Sequence, residues 1–170
     1  MQENNHTFNH IKIHTQYSIC EGAIKIEDLK NFCKQNKIKA IGLSDTNNLC
    51  GALEFSEEIS KAGTQPIIGT QINFKINSDM GSLPLIAKNQ KGYEKILKLS
   101  SKSYLHNDDN LFPYCDIYDL LNDPEGLIVL SGSLQSVSGN LFLKNKLQDL
   151  SSLYELLAQK FKDDFYIEIQ

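Results

Sequence analysis

Three observations predict an α/β fold with a mostly parallel sheet and helices outside it. Short apolar runs recur along the chain, and they alternate with stretches whose apolar residues follow the helical period. A strand–helix–strand order is typical of parallel sheets, because the helix carries the chain back to the start of the next strand. The 170 residues, 41% of them hydrophobic and 22% charged, suit one globular domain with a sizeable core.

Three strands are predicted in the first half of the chain. Alternating polar and apolar residues predict the first over residues 8–13, since successive side chains of a strand point to opposite faces. An apolar run predicts the second over residues 39–44. The third opens after Pro66 and includes residues 67–72, because proline cannot donate to a sheet but is tolerated where a strand starts.

Two helices are predicted between these strands. Asn47 or Asn48 is expected to cap the second helix, because a short polar side chain can accept from the free amides of a first turn, and Gly63 is expected to end it. The apolar positions predicted to face the core are Ile26, Leu29, Phe32 and Cys33 in the first helix, and Leu49, Ala52, Leu53, Phe55, Ile59 and Ala62 in the second.

The second half of the chain continues the alternation. A hairpin turn is predicted at residues 79–82, and the polar, turn-rich residues 105–113 are the best candidate for a mobile surface loop. The other elements are predicted as a strand over 83–88, a helix over 90–104, a short helix over 117–121, a strand over 127–130, a helix over 147–161 and a strand over 165–169. The positions predicted to face inward from the two long helices are Tyr93, Ile96, Leu97, Ser100, Leu150, Leu153, Tyr154 and Leu157.

Composition excludes several classes of function. The net charge is −4 and all 17 basic residues are scattered lysines, so the segment is a poor stand-alone nucleic-acid binder. No apolar run approaches the ~18 residues of a membrane span, and the N-terminus lacks a signal-peptide core. We therefore expect a cytoplasmic protein with no membrane partner. The cysteines lack metal-binding spacing and are expected to be free thiols, buried or half-buried: Cys20, Cys33, Cys50 and Cys115.

Two polar segments indicate a site at the ends of neighbouring strands. In the predicted first strand, His10, Lys12 and His14 alternate with isoleucines and share one face, which a plain core does not need. Asp45 follows directly after the apolar run 40–43. In α/β folds, strand ends are where chemistry is usually placed.

Six blocks of sequence, in a fixed order over nearly the whole chain, carry a family resemblance. The chain resembles the N-terminal PHP (polymerase and histidinol phosphatase) domain of bacterial replicative DNA polymerase III alpha subunits. The resemblance implies a distorted, TIM-like β/α barrel of about seven strands, in a domain longer than this chain. Residues 1–170 are thus expected to form a single PHP domain that is incomplete, or truncated, at its C-terminal side. The blocks are residues 10–22 (HIKIHTQYSICEG), 40–55 (AIGLSDTNNLCGALEF), 61–70 (KAGTQPIIGT), 84–93 (PLIAKNQKGY), 126–133 (GLIVLSGS) and 165–170 (FYIEIQ).

The resemblance also implies a metal site from which this chain departs. Active family members are metal-dependent phosphoesterases that gather several divalent ions with His, Asp, Glu and Cys side chains. Lys12 replaces the first histidine of a His-x-His motif, Thr46 replaces the histidine after Asp45, and Gln71 replaces a carboxylate. Of the ligand positions that align, His14 and Asp45 are retained. We therefore expect a vestigial site with no metal ion and no catalytic residue.

Each polar residue also has a plain structural interpretation. His14 is either a hydrogen-bonded interior histidine or a metal ligand, and the lost partners favour the first. Asp45 is either a turn cap or half of an ion pair with Lys12, a pair that would replace the metal by a fixed positive charge. His10 is interpreted as structural. His6 and His106 lie in polar stretches and are expected to be solvated.

The leading functional prediction is a catalytically silent domain of a replicative polymerase. The resemblance implies that the parent chain carries out DNA-directed DNA synthesis with Mg²⁺ at downstream carboxylates, and that this domain needs no cofactor. Its implied role is a scaffold for the remainder of the polymerase chain and a docking surface for the proofreading exonuclease subunit, with DNA contacted only through the parent protein. The alternatives are an active metal-dependent phosphoesterase or 3′-5′ proofreading nuclease, and an unrelated α/β protein.

Overall fold

The computed structural model describes residues 8–105 and 112–169 and shows a mixed α/β fold. Its strands are β1 (Ala40–Gly42), β2 (Asp45–Thr46), β3 (Gln65–Ile67), β4 (Gly69–Ile76), β5 (Asp79–Ala87), β6 (Cys115–Asp116), β7 (Leu127–Leu130) and β8 (Phe165–Tyr166). Its helices are α1 (Ile26–Asn36), α2 (Ala52–Lys61), α3 (Gln90–Leu105), α4 (Ile117–Leu121), α5 (Val137–Leu143) and α6 (Leu147–Phe161), and a 3₁₀ turn (Lys162–Asp164) follows α6.

The larger sheet has the strand order β2-β4-β5-β7-β8, and β6 also pairs with β4. β2 and β6 run parallel to β4, and β8 runs parallel to β7. β5 is antiparallel to both β4 and β7. β1 and β3 form a separate parallel pair. The prediction of a mostly parallel sheet therefore needs one correction: β5 is the return strand of a hairpin and runs against both of its neighbours.

The hairpin turn lies two residues before the predicted position. β4 ends at Ile76 and β5 begins at Asp79, so the turn consists of Asn77 and Ser78. Asn77 has a φ of 53°, a left-handed conformation that asparagine tolerates and that tight hairpin turns require. The prediction of a turn at residues 79–82 is wrong because Asp79 already pairs with Ile76 across the two strands.

The predicted first strand is an extended segment, which we call the leading segment (residues 10–13), rather than a regular strand. It runs beside β1, with hydrogen bonds from Gly42 N to His10 O (2.7 Å) and from Ile13 N to Gly42 O (3.0 Å). The two backbones approach closely because Gly42 has no side chain: a Cβ there would lie 2.3 Å from the Ile11 carbonyl oxygen. This approach holds the leading segment against the sheet.

Two apolar cores organise the described residues. One joins β4, β5 and β7 to helices α3 to α6, and the other joins β1 to α1 and α2. Most positions predicted to face inward lie in or against these cores, but Phe32, Leu53 and Leu97 are 44%, 72% and 40% exposed. Each lies at the margin of its helix's apolar stripe, where the helical period alone does not decide burial.

Local signals predicted some elements fully and missed others. The bounds predicted for α4, α6 and β7 match the structure, and α3 extends the predicted helix by one residue. β6 and α5 were not predicted. The cap predicted for α2 is also wrong, because Gly51 is its N-terminal flanking residue, while Asn48 Oδ1 accepts from Cys50 N (3.0 Å) in a turn just before it.

The four cysteines are free, as predicted, but the prediction that all are buried or half-buried is wrong for two of them. Cys33 and Cys115 are buried, whereas Cys20 and Cys50 are exposed. Burial raises the pKa of the Cys115 thiol to about 12, and its Sγ donates to the Leu99 carbonyl oxygen (3.1 Å). The two buried thiols therefore behave as small apolar core residues.

Two predictions fall outside the described residues. His6 and His106 lie there, together with residues 106–111 of the predicted surface loop. Within the described ranges, no helix is both long enough and apolar enough to cross a membrane.

Candidate functional site

The candidate site lies where the leading segment approaches β2 and β4. β2 pairs with β4 so that Asp45 is opposite Thr70 and Thr46 is opposite Gln71. His14 follows the leading segment and contacts both Thr46 and Gln71. The register of two parallel strands therefore brings together three of the residues predicted for the site.

Asp45 is fully buried and accepts hydrogen bonds from a single loop. Its Oδ1 accepts from Thr15 N (2.6 Å) and Ser18 Oγ (2.7 Å), and its Oδ2 accepts from Thr15 Oγ1 (2.8 Å). A buried carboxylate is tolerated when donors of this kind replace its water. Asp45 therefore fixes the loop that follows His14, rather than capping the next helix.

Lys12 pairs with Glu168, and the predicted ion pair with Asp45 is wrong. Lys12 Nζ lies 2.7 Å from Glu168 Oε1, with the two side chains 18% and 11% exposed. This pair links the leading segment to the residues just after β8, 156 positions away in sequence. Asp45 takes neutral donors instead, because the Thr15–Ser18 loop folds over it.

His14 is partly buried and its two ring nitrogens meet different groups. Nδ1 lies 3.3 Å from Ser18 Oγ, 3.4 Å from Thr46 Oγ1 and 3.5 Å from Glu21 Oε2. Nε2 lies 3.0 Å from the amide nitrogen of Gln71. His14 therefore lies within hydrogen-bond or ion-pair distance of four protein groups, and whether it can also bind a metal stays a prediction.

Four residues at the site were missed by sequence reasoning. Thr15 and Ser18 follow the His14 motif directly, and a Ser/Thr-rich turn after a strand could have indicated donors for Asp45. Glu168 is a lone carboxylate in the apolar stretch FYIEIQ, which is a weak signal for a buried ion pair. Glu21 is mostly exposed and carried no signal; it accepts a hydrogen bond from Thr46 Oγ1.

The loop that carries Ser18 is anchored to α2. Tyr17 donates from its hydroxyl to Glu54 Oε2 (2.6 Å), and this bond to a carboxylate raises the pKa of Tyr17. Its ring packs on Gly51, where a Cβ would lie 2.5 Å from the ring. Asn48 Nδ2 donates to the Tyr17 carbonyl oxygen (3.0 Å). These contacts hold the loop in place over Asp45.

A largely apolar hollow of about 670 Å³ has both Lys12 and Glu168 in its lining. His14, Asp45 and Gln71 are not among its lining residues, so the hollow adjoins the candidate site only through the Lys12–Glu168 pair. Its apolar lining comes from Phe8, Ile11, Ile67, Ile86, Ile128, Leu130, Tyr166, Ile167 and Ile169.

The residues present do not fit the divalent ions that the resemblance implies. Metal ligands need free lone pairs on unprotonated atoms. Across the described ranges, no three or more His, Cys, Asp or Glu side chains are placed to hold an ion together. Asp45 faces three protein donors, Lys12 carries an ammonium held by Glu168, and the Gln71 amide meets His14 Nε2.

Comparison with known families gives one match over most of the chain. The model of the PHP domain family matches residues 10–170. That range includes the leading segment, β2, β4 and the pair between Lys12 and Glu168, so every residue described at the site lies within the matched range.

Similar curated proteins are DNA polymerase III alpha subunits. The one from Haemophilus influenzae is 33% identical over 165 residues, covering 95% of this chain and 14% of that protein. The ones from Borreliella burgdorferi and Rickettsia felis are each 36% identical, covering 96% and 95% of this chain and 15% and 14% of theirs. The chain thus spans only about one seventh of the length of these relatives.

Among solved structures, an amidohydrolase from Chromobacterium violaceum superposes with a TM-score of 0.47 at 10% identity, over 56% of this chain and 32% of that one. A likeness this low carries no inference about chemistry.

Proposed function

The chain belongs to the PHP domain family, and on that premise we propose that it is the N-terminal PHP domain of a DNA polymerase III alpha subunit. Alpha subunits from several bacteria match at least 95% of this chain at 33–36% identity. DNA-directed DNA synthesis, with its Mg²⁺, belongs in this proposal to the remainder of the parent chain, which would also make the contacts to DNA. The parent protein would act in the cytoplasm.

Within that parent, the domain is proposed to be catalytically silent. The observation that carries this proposal is the engagement of both retained ligands, His14 and Asp45, by protein groups. The ions of an active site would have to displace Thr15 and Ser18 from Asp45 and the Gln71 amide from His14. Such a displacement would leave buried donors without acceptors, at about 1–3 kcal/mol each.

A silent domain retains a role as a scaffold and a docking surface. The proposed partner is the separate proofreading exonuclease subunit, which the family resemblance implies for members with a degenerate metal site. The anchored loop and the internal pairing at the site support a rigid module rather than one that opens for substrate. Rigid surfaces suit docking because little conformational entropy is lost on binding.

The competing function is a metal-dependent phosphoesterase or 3′-5′ nuclease, and one observation favours testing it. The Glu21 carboxylate lies outside the motifs in which ligands were replaced; its Oε2 is 3.5 Å from His14 Nδ1 and accepts a hydrogen bond from Thr46 Oγ1. A metal ion would need this exposed carboxylate to compensate for the three replaced positions.

Metal content of the purified full-length subunit separates the two functions. We expect no stoichiometric zinc or manganese, and phosphatase and exonuclease activities equal to those of the His14→Ala variant. His10→Ala is the matched control, since His10 is exposed and lies on the same segment. Stoichiometric metal together with an activity that His14→Ala abolishes, and His10→Ala does not, would overturn the silent function.

Docking is tested independently of metal. The full-length subunit should bind the exonuclease subunit with the same affinity before and after treatment with a chelator, because the site is proposed to contain no structural ion. Calorimetry with purified partners measures this affinity directly. A loss of binding on chelation, or no binding at micromolar concentrations, would contradict the docking role.

A further inference from the structure

We propose that Gln71 seals the candidate site, in the sense that it keeps metal ions from His14, by donating a hydrogen bond to His14 Nε2. This bond holds the imidazole in its Nδ1–H form. The inference rests on the proposed silent function and names the residue responsible for it. It follows from counting the protons around the ring, since each hydroxyl has one proton and each carboxylate has none.

The hydroxyl proton of Ser18 is used in a hydrogen bond to Asp45. Ser18 Oγ lies 2.7 Å from Asp45 Oδ1, and the other two bonds of that buried carboxylate come from Thr15. Because a carboxylate only accepts, the Ser18 hydroxyl must donate to it. The same oxygen also accepts from Thr46 N (3.1 Å). Towards His14, therefore, Ser18 Oγ presents a lone pair.

The hydroxyl proton of Thr46 is likewise used in a hydrogen bond to a carboxylate. Thr46 Oγ1 donates to Glu21, another carboxylate. Nδ1 of His14 thus faces two hydroxyl oxygens without an available proton, at 3.3 Å and 3.4 Å, and the Glu21 carboxylate at 3.5 Å. Three acceptors around one ring nitrogen require that nitrogen to carry the proton.

With the proton on Nδ1, neutral His14 has its lone pair on Nε2. The Gln71 side-chain nitrogen lies 3.0 Å from that atom, and an amide NH₂ is a donor. The orientation of the amide is therefore consistent with the rest of the network. A reversed amide would place two lone pairs against each other while the imidazole remained neutral.

The hydrogen bond occupies the space that a metal ion would need. A zinc ion bound at Nε2 would lie about 2.0–2.1 Å from that nitrogen, along the direction that the Gln71 nitrogen now takes. The pairing of Thr46 with Gln71 across β2 and β4 places the amide there. A glutamate at position 71 could not donate, so replacing a carboxylate by an amide both removes a ligand and blocks a neighbouring one.

Long-range ¹H–¹⁵N NMR of the ¹⁵N-labelled chain tests the assignment without any substitution. At about pH 8.5, where an ordinary imidazole is neutral, His14 should show a protonated Nδ1 and an unprotonated Nε2. The resonance is assigned by its loss in His14→Gln. A protonated Nε2 in the wild-type chain would overturn the inference while leaving the silent function standing.

Zinc titration of two variants tests the sealing role. Gln71→Met keeps the side-chain length but removes the donor, and Gln71→Glu restores a carboxylate. Both should bind Zn²⁺ more tightly than the wild-type chain, Gln71→Glu by roughly 10–100-fold, the range that partners of metal ligands control. Gln65→Met, an exposed glutamine on β3, is the matched control and should not differ from wild type.

The outcomes separate the two proposals. Zinc affinity and His14 tautomer unchanged in both Gln71 variants would overturn the sealing role alone. Zinc binding by the wild-type chain, abolished by His14→Ala, would overturn the silent function as well. Far-UV circular dichroism checks that each variant is folded, and the wild-type NMR measurement decides the tautomer if a variant is not.

Discussion

Asp45 and Asp79 are both buried carboxylates, but they are stabilised in different ways. Asp45 is 0% exposed and is surrounded by neutral donors, namely the backbone amide and hydroxyl of Thr15 and the hydroxyl of Ser18. All of these donors lie in one loop. The charge of Asp45 is therefore compensated by dipoles.

Asp79 is 2% exposed and is surrounded by cations. Lys144 Nζ lies 2.8 Å from its Oδ1 and Lys146 Nζ lies 2.6 Å from its Oδ2. These two ammonium groups bring the connection between α5 and α6 onto the start of β5, and their hydrogen bonds hold the pKa of Asp79 below its ordinary value.

The difference shows that burial of a carboxylate does not predict its partner. The sequence suggested an ammonium beside Asp45 and an ordinary turn at Asp79. In the structure, Asp45 has neutral donors and the two ammonium groups lie beside Asp79. Neutral donors avoid the cost of desolvating a second charge, whereas the lysines at Asp79 are 54% and 37% exposed and keep part of their hydration. Four predictions test this contrast, beginning with the largest effect.

Removing the acceptor at Asp45 should be the most destabilising change. In Asp45→Ala, two hydroxyls and one amide are left without an acceptor in a buried site, which we expect to lower the free energy of unfolding by about 3 kcal/mol or more. Urea unfolding followed by circular dichroism measures the change. The control is Asp163→Ala, at an exposed position, and a loss at Asp45 no larger than at Asp163 would contradict the assignment.

The partner of Lys12 can be identified by a double-mutant cycle. Lys12→Met should cost about 2 kcal/mol, since its pair with Glu168 is mostly but not fully buried. Coupling of at least about 1 kcal/mol is expected with Glu168→Gln and none with Asp45→Asn. The opposite pattern would restore the ion pair that the sequence suggested.

Asp79→Asn should cost about 1–2 kcal/mol at pH 7, because each lysine is only partly buried. The pKa of Asp79 is lowered in the folded state, so its stabilisation is complete above the unfolded-state value of about 4 and is lost as the pH falls through the folded-state value. Unfolding measured between pH 7 and pH 2 should show the wild-type advantage shrinking in acid. An advantage that is constant with pH would count against the charge pairing.

A high salt concentration should change the costs of the Asp79 and Asp45 substitutions differently, and this is the smallest of the four expected effects. At 1 M NaCl the Debye length is about 3 Å, and the cost of Asp79→Asn should fall by about 0.3–0.5 kcal/mol because its lysines reach solvent. The cost of Asp45→Ala should not change, since its partners are neutral. Equal salt sensitivity in the two variants would remove the distinction between them.

Local sequence patterns were sufficient for elements that lie within one stretch of chain. α6 is a 15-residue amphipathic helix with Leu153 and Leu157 buried at helical spacing, and α4 and β7 begin and end where their patterns do. α5 was missed because Ser136, Ser138 and Gly139 resemble a loop, although Ser136 caps the helix by accepting from Gly139 N (3.1 Å) and Val137 and Leu141 pack into the core.

At the candidate site, too, the sequence predicted features that depend on a short stretch of chain and missed those that depend on distant residues. That Lys12, Thr46 and Gln71 stand where the family resemblance implies metal ligands is a prediction from residue identity and motif order alone. The partners of Lys12 and His14 could not be predicted in this way, because Glu168 and Gln71 are 156 and 57 residues away and reach the site through the strand order.

By itself, then, the sequence determined the family and most helices and strands, because each of these depends on residue identity or on spacing within a short window. Only the tertiary structure decided which carboxylate the Lys12 ammonium meets, which donors surround Asp45, and which groups lie beside each ring nitrogen of His14. The physical reason is that hydrogen bonds and ion pairs are settled at distances of about 3 Å, and the strands that bring such atoms together are far apart in the chain.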